Sequence, residues 1–544
     1  MQPIQVCVIG CGPIGLACAL LLAKFGIRTV VVERRGEMNT HPRSRFVDTN
    51  TMELMRLLGV EKEIEATGLG PDWTEYNRWF DAIVGEQIAA IASPTFHTVD
   101  RQTSPTRPVM TCQDYVEGVL MDSVAQTNCI ELRFRTEAIA LNEDASGVAV
   151  SLRNLENGQE DALHAEYVLG TDGPHSFARQ VIGSELQATP RGQYSQDVIF
   201  EADLSKFVGQ RKGGLLYALT MRGVLIFQPL NGVTRWRCQI FKADSELLSE
   251  EETKGRICEA VGVPNIPIDI VSMGIWQPTP GCVDRLSRGR IFLAGDAAHV
   301  SLPTGGMGNN IGFAGARNLT WKLAYVLRGL VEPEILDTYH EEHHALALDR
   351  IGVGIETTEY MGSFIRAYYA GEDTQPGIQL TQQYGDYDGA ILGYEMCSGL
   401  IATENKEPPA VAHPTIDFVP CIRAGRRAPH VWVDAARKTS VLDWFSTHYT
   451  LVCGAGIDCE RWRACLTQLE DAFPLRLQRL MGCEQDIYPQ DGLVLVRPDG
   501  IIADYWIDSA VAPGNEWQRL SELLPIRADQ LSTRTNNRLA SARA

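Results

Sequence analysis

A glycine-rich turn between an apolar strand and an apolar helix is the feature that most restricts how this chain can fold. The run IQVCVI at residues 4–9 has the character of a buried strand, and a second such strand is predicted from Thr29 to Val32. Between them lies a helix predicted from Pro13 to Phe25. The turn that joins the first strand to this helix has the spacing G-x-G-x-x-G, with its glycines at Gly10, Gly12 and Gly15. This order predicts a βαβ unit that holds a dinucleotide.

Each residue of the turn has a physical task in such a unit. Gly10 permits the tight turn, Gly12 lets a pyrophosphate approach the backbone, and Gly15 lets the helix pack against the strand. The helix that begins at Pro13 presents free N–H groups and the positive end of its dipole to the phosphates.

The end of the second strand supplies a further candidate contact. Glu33 is placed to accept hydrogen bonds from the ribose hydroxyls, and Arg34 follows it. A carboxylate at this position would repel a 2′-phosphate. We therefore expect no NADP in this first site.

A second glycine-rich stretch follows a predicted buried strand, RIFLA, far downstream. It begins with Gly295 and Asp296, and it continues through Pro303, Gly306, Gly308, Asn309 and Asn310. Two such stretches, separated by most of a domain, predict one long cofactor that passes both, and this cofactor is FAD. The Asp296 carboxylate is expected to bind the ribityl hydroxyls. The N–H groups of the following helix are expected to face the flavin N1–C2=O edge. We interpret His299 as a structural, hydrogen-bonded residue.

A third motif lies between the other two. Gly170, Thr171, Asp172 and Gly173 follow a predicted strand, EYVLG. By itself this sequence is equally typical of a common Asp-Gly turn. Together with the other two motifs it resembles the Asp-Gly element of flavoprotein aromatic hydroxylases, and this resemblance implies that Asp172 contacts FAD.

Composition excludes several classes of protein. The 544-residue chain is long enough for roughly three domains. Its formal net charge of −19 argues against a nucleic-acid partner. The 14 cysteines show neither a Cys-x-x-Cys pair nor metal-ligand spacing, so we expect no metal site. No apolar run is long enough to cross a membrane, and a cytoplasmic location is expected.

These motifs resemble those of the group A flavoprotein monooxygenases, the family of para-hydroxybenzoate hydroxylase and phenol hydroxylase. The similarity spans about residues 4–360, through GCGPIG, GTDG…SFAR and GDAAH…PTGGMGNN…ARNLTWKLAYVLRG. The family has arginines near the flavin where this chain has Arg43 and Arg45, and Gln113 matches a flavin-contacting glutamine. The resemblance adds these three residues to the predicted cofactor site. A small aromatic substrate is the expected partner, and a homodimer the expected assembly.

The resemblance also implies an α/β fold in three parts. A Rossmann-like FAD-binding domain of the glutathione-reductase type carries an inserted α+β substrate domain built on a β-sheet. The segment LVRPDGIIADYW resembles the thioredoxin-like domain that phenol hydroxylase-type members append, and without Cys-x-x-Cys it is expected to be structural. The predicted boundaries are 1–185 for the first part of the FAD domain, with 75–105 joining the substrate domain, 186–280 for the insert, 281–400 for the rest of the FAD domain, and 410–535 for the last domain.

The predicted insert contains the candidate catalytic residues. Tyr217 matches the family tyrosine whose hydroxyl relays the substrate proton, and Arg235 matches an arginine associated with flavin movement. Arg237 replaces a substrate-facing tyrosine. Period-two alternation places Arg235 and Arg237 on one face of a strand. The alternative is an ordinary solvated polar face with a half-buried tyrosine. Gln228 and Leu230 stand where para-hydroxybenzoate hydroxylase binds the carboxylate of its substrate with a serine and an arginine, so para-hydroxybenzoate itself is a poor candidate substrate.

The resemblance implies hydroxylation of a phenolic ring through a C4a-hydroperoxyflavin, with NADH or NADPH and O2 consumed. Arg235 or Arg237 would stabilise the phenolate or an acidic substituent. The expected substrate is a monocyclic phenol, with nitro, chloro or carboxylate substituents among the possibilities. A polycyclic, polyketide-type aromatic is the alternative. A flavin reductase or oxidase, a halogenase and a non-catalytic flavin-binding protein are the other hypotheses, although the halogenase element Trp-x-Trp-x-Ile-Pro is absent.

Overall fold

A computed structural model describes most of the chain. The described residues are 4–37, 41, 44–93, 96, 102–190, 192–383, 387–404, 407–466, 473–481, 487–511 and 515–527. Five β-sheets and the helices packed on them account for these residues.

Within the described residues, the first part of the chain contains ten strands and six helices. The strands are β1 (Ile4–Ile9), β2 (Thr29–Val32), β3 (Phe46–Val47), β4 (Tyr76–Phe80), β5 (Gln87–Ala92), β6 (Val109–Met110), β7 (Ile130–Arg133), β8 (Thr136–Glu143), β9 (Val148–Asn154) and β10 (Glu160–Gly170). The helices are α1 (Pro13–Lys24), α2 (Thr49–Leu58), α3 (Glu61–Ala66), α4 (Pro71–Thr74), α5 (Gln113–Ala125) and α6 (Phe177–Ile182).

The middle of the chain contains ten further strands and six further helices. The strands are β11 (Leu186–Ala188), β12 (Tyr194–Glu201), β13 (Leu216–Thr220), β14 (Gly223–Pro229), β15 (Arg235–Lys242), β16 (Asp269–Trp276), β17 (Gly281–Val283), β18 (Ser287–Arg288), β19 (Ile291–Leu293) and β20 (His299–Val300). The helices are α7 (Ser205–Val208), α8 (Glu250–Val261), α9 (Met307–Leu327), α10 (Asp337–Ala370), α11 (Gln375–Gln383) and α12 (Asp388–Leu392).

The described residues of the C-terminal part form four strands and two helices. The strands are β21 (Tyr449–Cys453), β22 (Leu475–Arg479), β23 (Gly492–Val496) and β24 (Ile502–Ile507), and the helices are α13 (Cys459–Leu466) and α14 (Glu516–Leu523). Short 3-10 helices occur at Gly295–Ala297, Thr304–Gly306, Pro333–Leu336, Val441–Trp444 and Asp508–Ala510.

The largest sheet has the strand order β18-β19-β10-β1-β2-β7, and β9 and β8 extend it from β10. Strands β19, β10, β1, β2 and β7 run parallel. Because α1 joins β1 to β2 and its side chains from Leu16 to Ala19 are fully buried, the N-terminal segment forms the predicted βαβ unit. This sheet confirms the Rossmann-like fold class.

A separate seven-stranded sheet has the order β16-β12-β15-β14-β13-β4-β5. Its strands β4 and β5 come from the chain before α5, and the other five come from residues 194–276. One face packs against α8 through an apolar cluster that includes Trp236, Cys238 and Ile240. The opposite face carries Arg235, Arg237 and Gln239, which confirms the predicted alternation along β15.

The C-terminal sheet has the order β22-β21-β23-β24. Strands β21 and β22 are parallel and joined through α13, whereas β23 and β24 form an antiparallel hairpin that α14 follows. This is the βαβ-ββα arrangement of a thioredoxin-like domain, as predicted. Its core is continuous with that of the first domain, because Trp321 and Tyr325 of α9 pack against Tyr449 and Phe473.

Candidate active site

The three sequence motifs meet at one edge of the large sheet. Strands β1, β10 and β19 are parallel neighbours, so the motifs that follow them emerge side by side. The hydroxyl of Thr171 donates to the carbonyls of Ile9 and Gly10, at 3.0 and 2.9 Å. Gly295 packs on Ile14, whose Cγ1 lies 3.0 Å from a Cβ built on that glycine. Ligands of open α/β sheets bind at this carboxyl edge.

The glycines of the fingerprint turn have different geometric reasons for lacking a side chain. Gly10 has a φ of +104°, and a Cβ there would lie 2.5 Å from the carbonyl oxygen of Thr171. A Cβ on Gly15 would lie 2.1 Å from the carbonyl oxygen of Gly10. A Cβ on Gly12 would meet no atom within 4 Å among the described residues. Gly12 therefore borders open space at the N-terminus of α1, where Pro13 is the first helical residue.

The Glu33 carboxylate is fixed beside this turn. Its Oε2 accepts the backbone N–H of Cys11, and its Oε1 accepts that of Arg35, both at 2.9 Å. A carboxylate oxygen can accept more than one hydrogen bond, so ribose hydroxyls can still bind. The Arg34 side chain is exposed.

The Asp172 carboxylate binds the start of the helix that follows it. Its Oδ1 accepts the hydroxyl proton of Ser176 at 2.5 Å, and its Oδ2 accepts the backbone N–H groups of Phe177 and Ala178 at 2.7 and 3.1 Å. The carboxylate therefore satisfies the first turn of α6. Arg179 in that helix donates to the carbonyl of Ala297 at 3.1 Å and joins this motif to the downstream loop.

The downstream loop ends at the N-terminus of α9. Pro303 precedes the 3-10 turn Thr304–Gly306, and Gly308 and Asn309 lie in the first turn of the helix. Gly306 has a φ of +64°, and a Cβ on it would lie 2.8 Å from Cβ of Phe46. No side chain of the described residues caps α9, so its first N–H groups are available to an anionic ligand. Asp296, next to Gly295, is half-buried.

The side chain of Asn310 connects the downstream loop to β3 and to the start of α2. Its Nδ2 donates to the carbonyls of Phe46 and Gly306, at 3.0 and 2.8 Å. Its Oδ1 accepts the backbone N–H of Asp48 at 3.1 Å and the hydroxyl of Thr51 at 2.8 Å. These bonds use the whole hydrogen-bonding capacity of the amide. The Asn310 side chain therefore holds the loop against α2.

Arg45 contacts the segment that precedes β13 of the seven-stranded sheet, and Gln113 contacts Ser44. Arg43 lies outside the described residues. The Nη1 of Arg45 donates to the carbonyl of Gly214 at 3.1 Å, while its Nη2 is buried and has no hydrogen-bond partner within the described ranges. Burial lowers the pKa of Arg45 to about 10, and the nearby Arg237 acts in the same direction. The Oε1 of Gln113 accepts the backbone N–H of Ser44 at 3.2 Å.

Tyr217 lies on the face of the seven-stranded sheet that also carries Arg237. It pairs with Ile226, which pairs with Gln239, so these three side chains share a face. The Tyr217 ring stacks on Trp79 with the centroids 4.5 Å apart and the planes 3° from parallel. Burial raises the pKa of Tyr217 above its usual range, and the neighbouring Tyr387 adds to this effect. Tyr217 is therefore a neutral phenol at neutral pH.

Each of the two candidate arginines already contacts a carboxylate. Arg237 and Asp197 form a buried ion pair at 2.5 Å, and Trp276 donates its indole N–H to the same carboxylate oxygen at 3.0 Å. Arg235 forms an ion pair with Asp114 of α5 at 2.6 Å. The charge that we expected Arg235 or Arg237 to offer to an acidic substituent is therefore compensated within the protein.

Sequence reasoning missed several residues of this site. Asp197 stands 40 positions before its arginine, and only strand pairing brings the two together. Trp79 comes from the distant strand β4. Tyr387 contacts the downstream loop, because a Cβ built on Gly305 of that loop would lie 3.6 Å from Cζ of Tyr387. No sequence signal marks these residues, although alternation within β12 would have placed Asp197 on one face with Ser195.

His299 has the structural role expected from the sequence. Its Nε2 lies 3.3 Å from Nε2 of His343, and both imidazoles are fully buried. Burial lowers the pKa of His299 to about 4, so the ring is neutral at physiological pH. It cannot serve there as a charged acid.

The geometry of the motifs fits FAD. Open space at Gly12 and the uncapped N-termini of α1 and α9 suit two anionic regions, a pyrophosphate and the flavin N1–C2=O edge. The buried, unsatisfied Nη2 of Arg45 adds a donor beside the segment that precedes β13. Across the described ranges there is no group of three or more His, Cys, Asp or Glu side chains that could hold a metal ion. Nor does that part of the chain contain a helix long and apolar enough to cross a bilayer.

Two family models match the chain. The model described as "FAD binding domain" matches residues 3–351, and the model described as "Aromatic-ring hydroxylase, C-terminal" matches residues 422–524. Together they cover both the dinucleotide-binding part and the thioredoxin-like part.

Similar proteins extend over almost the whole chain. A 2,4-dichlorophenol 6-monooxygenase of Cupriavidus pinatubonensis is 31% identical, and the match covers 92% of each chain. The aklavinone 12-hydroxylase RdmE of Streptomyces purpurascens is 30% identical over 92% of this chain and 95% of its own. Among solved structures, a ternary complex of aklavinone-11 hydroxylase with FAD and aklavinone superposes with a TM-score of 0.82 and 26% identity, covering 96% of this chain and 98% of the other.

Proposed function

The chain belongs to the group A flavoprotein monooxygenases, the FAD-dependent aromatic-ring hydroxylases, and from this membership we propose that it hydroxylates a monocyclic phenol without a carboxylate group. FAD, once bound, supplies the redox chemistry between NADH or NADPH, O2 and the ring. The protein binds and orients the ring, excludes water and moves the phenolic proton.

Tyr217 is the residue on which the proposal depends most. It lies on one face of the seven-stranded sheet, beside Tyr387, and Tyr387 contacts the downstream loop at Gly305. An electrophilic oxygen attacks a phenolate faster than a phenol, so removal of the substrate proton is the step the protein must assist. We assign this step to Tyr217, whose oxygen accepts the substrate proton while its own proton passes to Tyr387, and the half-buried Tyr387 in turn gives up its hydroxyl proton to water.

The compensated charge of Arg237 supports a substrate without a carboxylate. Asp197 neutralises this arginine inside the protein, and Gln228 and Gln239 beside it form a 2.9 Å hydrogen bond with one another. Arg235 and Arg237 on this sheet face are each paired with a carboxylate, so neither offers a benzoate a full charge to compensate its desolvation. A neutral, hydroxylated ring suits this site better than a benzoate does, because it can form hydrogen bonds here and pack against the stacked rings of Trp79 and Tyr217. Arg45 then supplies the positive potential that favours ionisation of the phenol.

A polycyclic aromatic is the second candidate substrate. The similarity to aklavinone hydroxylases, over 92% of this chain in one case, supports it. A tetracyclic ring system would need more room between the two sheets than a single phenol.

The test is substrate-stimulated oxidation of NADH and NADPH by the purified enzyme, with product analysis. The panel pairs phenol, para-cresol and 2,4-dichlorophenol with para-hydroxybenzoate and a tetracyclic anthraquinone phenol. We expect hydroxylated product from the phenols without a carboxylate. Product from the tetracyclic phenol alone would select the second candidate, and para-hydroxybenzoate as the best substrate would contradict the proposal.

Asp197→Asn sharpens this test. The change removes the negative charge that compensates Arg237. The ratio of kcat/KM for para-hydroxybenzoate to that for para-cresol should therefore rise about tenfold or more, because the substrate carboxylate gains Arg237 as a charged partner. Asp284→Asn, a change at a surface carboxylate, should leave the ratio unchanged. An unchanged ratio in a folded Asp197→Asn variant would show that Arg237 does not face the substrate.

A further inference from the structure

A buried carboxylic acid, Glu117, lies next to the fingerprint turn and has no task in the proposed reaction. It is 3% exposed and sits one turn after Gln113 in α5. The Nε2 of Gln113 donates to its Oε1 at 2.7 Å. Gln113 also bonds Ser44 twice, through its backbone N–H at 3.0 Å and its Oε1 at 3.2 Å. Glu117 therefore fixes the side chain that joins α5 to the segment before β3.

Glu117 lies in a cluster of acidic groups around the turn. The Cys11 thiol, between two of the fingerprint glycines, lies within electrostatic range of both Glu33 and Glu117. Arg35, which follows β2, is a cation that faces Glu117. Asp114, which lies in α5 like Glu117, is a third carboxylate beside Glu33 and Glu117. The cation next to Asp114 is Arg235, and Arg235 forms its ion pair with Asp114 and not with Glu117. The surroundings of Glu117 are thus more negative than positive.

The pKa of Glu117 reflects these surroundings. Burial raises it to about 7, and the charges of Asp114 and Glu33 add to the rise, whereas the hydrogen bond from Gln113 and the charge of Arg35 oppose it. The Cys11 thiol does not titrate in the same range, because burial and the two glutamates raise its pKa to about 12. At neutral pH the free chain therefore contains both forms of Glu117.

FAD brings two more negative charges to this place, because its pyrophosphate binds where Gly12 leaves space at the N-terminus of α1. We propose that FAD binds the form of the chain in which Glu117 is protonated, so that Glu117 is a positioning residue that couples FAD affinity to pH. The inference rests on the FAD site of the family, and it is independent of which phenol is the substrate.

The sign of the pH effect follows from linkage. Below pH 7 Glu117 already carries its proton, and FAD binding is insensitive to pH. Above pH 7 a proton must be taken up with FAD, so the Kd rises by up to about tenfold per pH unit. Alkaline conditions should therefore release FAD from the holoenzyme.

The test is a dilution series of the yellow holoenzyme between pH 6.0 and 8.5, with free FAD measured by flavin fluorescence. We expect a constant Kd up to about pH 6.5 and a rise of roughly fivefold to tenfold between pH 7 and 8. Glu117→Gln, which imitates the protonated form and keeps an acceptor for Gln113, should bind FAD tightly with a flat profile. The exposed Asp122→Asn on the same helix should keep the wild-type profile.

Proton uptake by the wild-type protein provides a measurement that needs no variant. FAD binding to the FAD-depleted chain at pH 7.5 is followed by calorimetry in two buffers with different ionisation enthalpies, and we expect uptake of about half a proton or more. A flat wild-type Kd, no proton uptake, or an equal slope in Glu117→Gln would each overturn the proposal. Failure of the chain to hold FAD at any pH would instead contradict the FAD site itself.

Discussion

Arg237 and Asp197 illustrate why residue identity alone does not define the chemistry of the seven-stranded sheet. The sequence places an arginine where a family member has a substrate-facing tyrosine, and the natural expectation is an anionic substrate. The structure pairs that arginine with a carboxylate at 2.5 Å in a site where both side chains are at least 96% buried. Breaking such a pair typically costs about 3–5 kcal/mol, so its charge is not available for exchange with a substrate.

Tyr217→Phe tests the proton relay directly. The change removes only a hydroxyl from a ring stacked on Trp79, so the fold, FAD content and phenol binding should be retained. Hydroxylation should fall about a hundredfold or more, since general acid–base groups typically contribute that much, while NAD(P)H is still consumed and peroxide is released. Product and peroxide are quantified per NAD(P)H consumed.

Tyr368→Phe is the matched control for this change. Tyr368 packs in the same apolar cluster, on α10, and has no role in the relay. Its variant should keep the wild-type yield of hydroxylated product. Normal coupling of NAD(P)H oxidation to hydroxylation in Tyr217→Phe would rule out the relay.

The glycine-rich turns and helix N-termini are the elements that carry the cofactor site. Apolar runs and glycines in the sequence were sufficient to predict β1, α1 and β2, because these elements are determined by local patterns. The sheet partners were not predictable in this way. Strand β4 joins β13 across more than 130 residues, and the hydrogen bond from Asp48 to Asn310 depends on a neighbour that no local pattern specifies.

Gly12→Ala separates folding from cofactor binding. A methyl group at this position meets no described atom within 4 Å, and the backbone φ of −75° suits alanine, so the fold should be retained. The same methyl group would occupy the space of the pyrophosphate, and the Kd for FAD should rise at least about tenfold, equivalent to roughly 1.4 kcal/mol. Flavin fluorescence titration measures the Kd, and circular dichroism measures the fold.

Gly255→Ala serves as the control, since Gly255 lies in α8 with nothing within 4 Å and far along the chain from the motifs. It should bind FAD like the wild type. Wild-type FAD affinity in Gly12→Ala would mean that the pyrophosphate does not approach this turn.

The whole molecule is held together by a buried charge network between the first and last domains. Arg497, after β23, contacts both oxygens of Glu342 in α10, at 2.6 and 2.9 Å, and also pairs with Asp499. Lys322 of α9 reaches the same glutamate at 2.9 Å. Although burial favours the neutral acid, these two cations hold the pKa of Glu342 well below its usual range. Buried ion pairs thus join the C-terminal domain to the FAD domain.

Arg497→Met should destabilise the entire protein, because it leaves Glu342 and Asp499 buried with one cation fewer. We expect a loss of about 3–5 kcal/mol in the free energy of unfolding, seen in denaturant titration, and earlier proteolytic cleavage between the domains. Arg153→Met breaks an exposed ion pair with Glu160 and should cost about 1 kcal/mol or less. Equal stability of the two variants would show that the network does not join the domains.

Transfer of oxygen to the ring is the property that distinguishes a hydroxylase from a flavin reductase, an oxidase or a non-catalytic flavoprotein. The decisive measurement is turnover of the best phenol with NAD(P)H under ¹⁸O2, with mass spectrometry of the product. We predict one ¹⁸O atom in the new hydroxyl group, and none when the label is supplied as H2¹⁸O. Consumption of NAD(P)H with peroxide as the sole product, or a hydroxyl oxygen derived from water, would contradict the assignment.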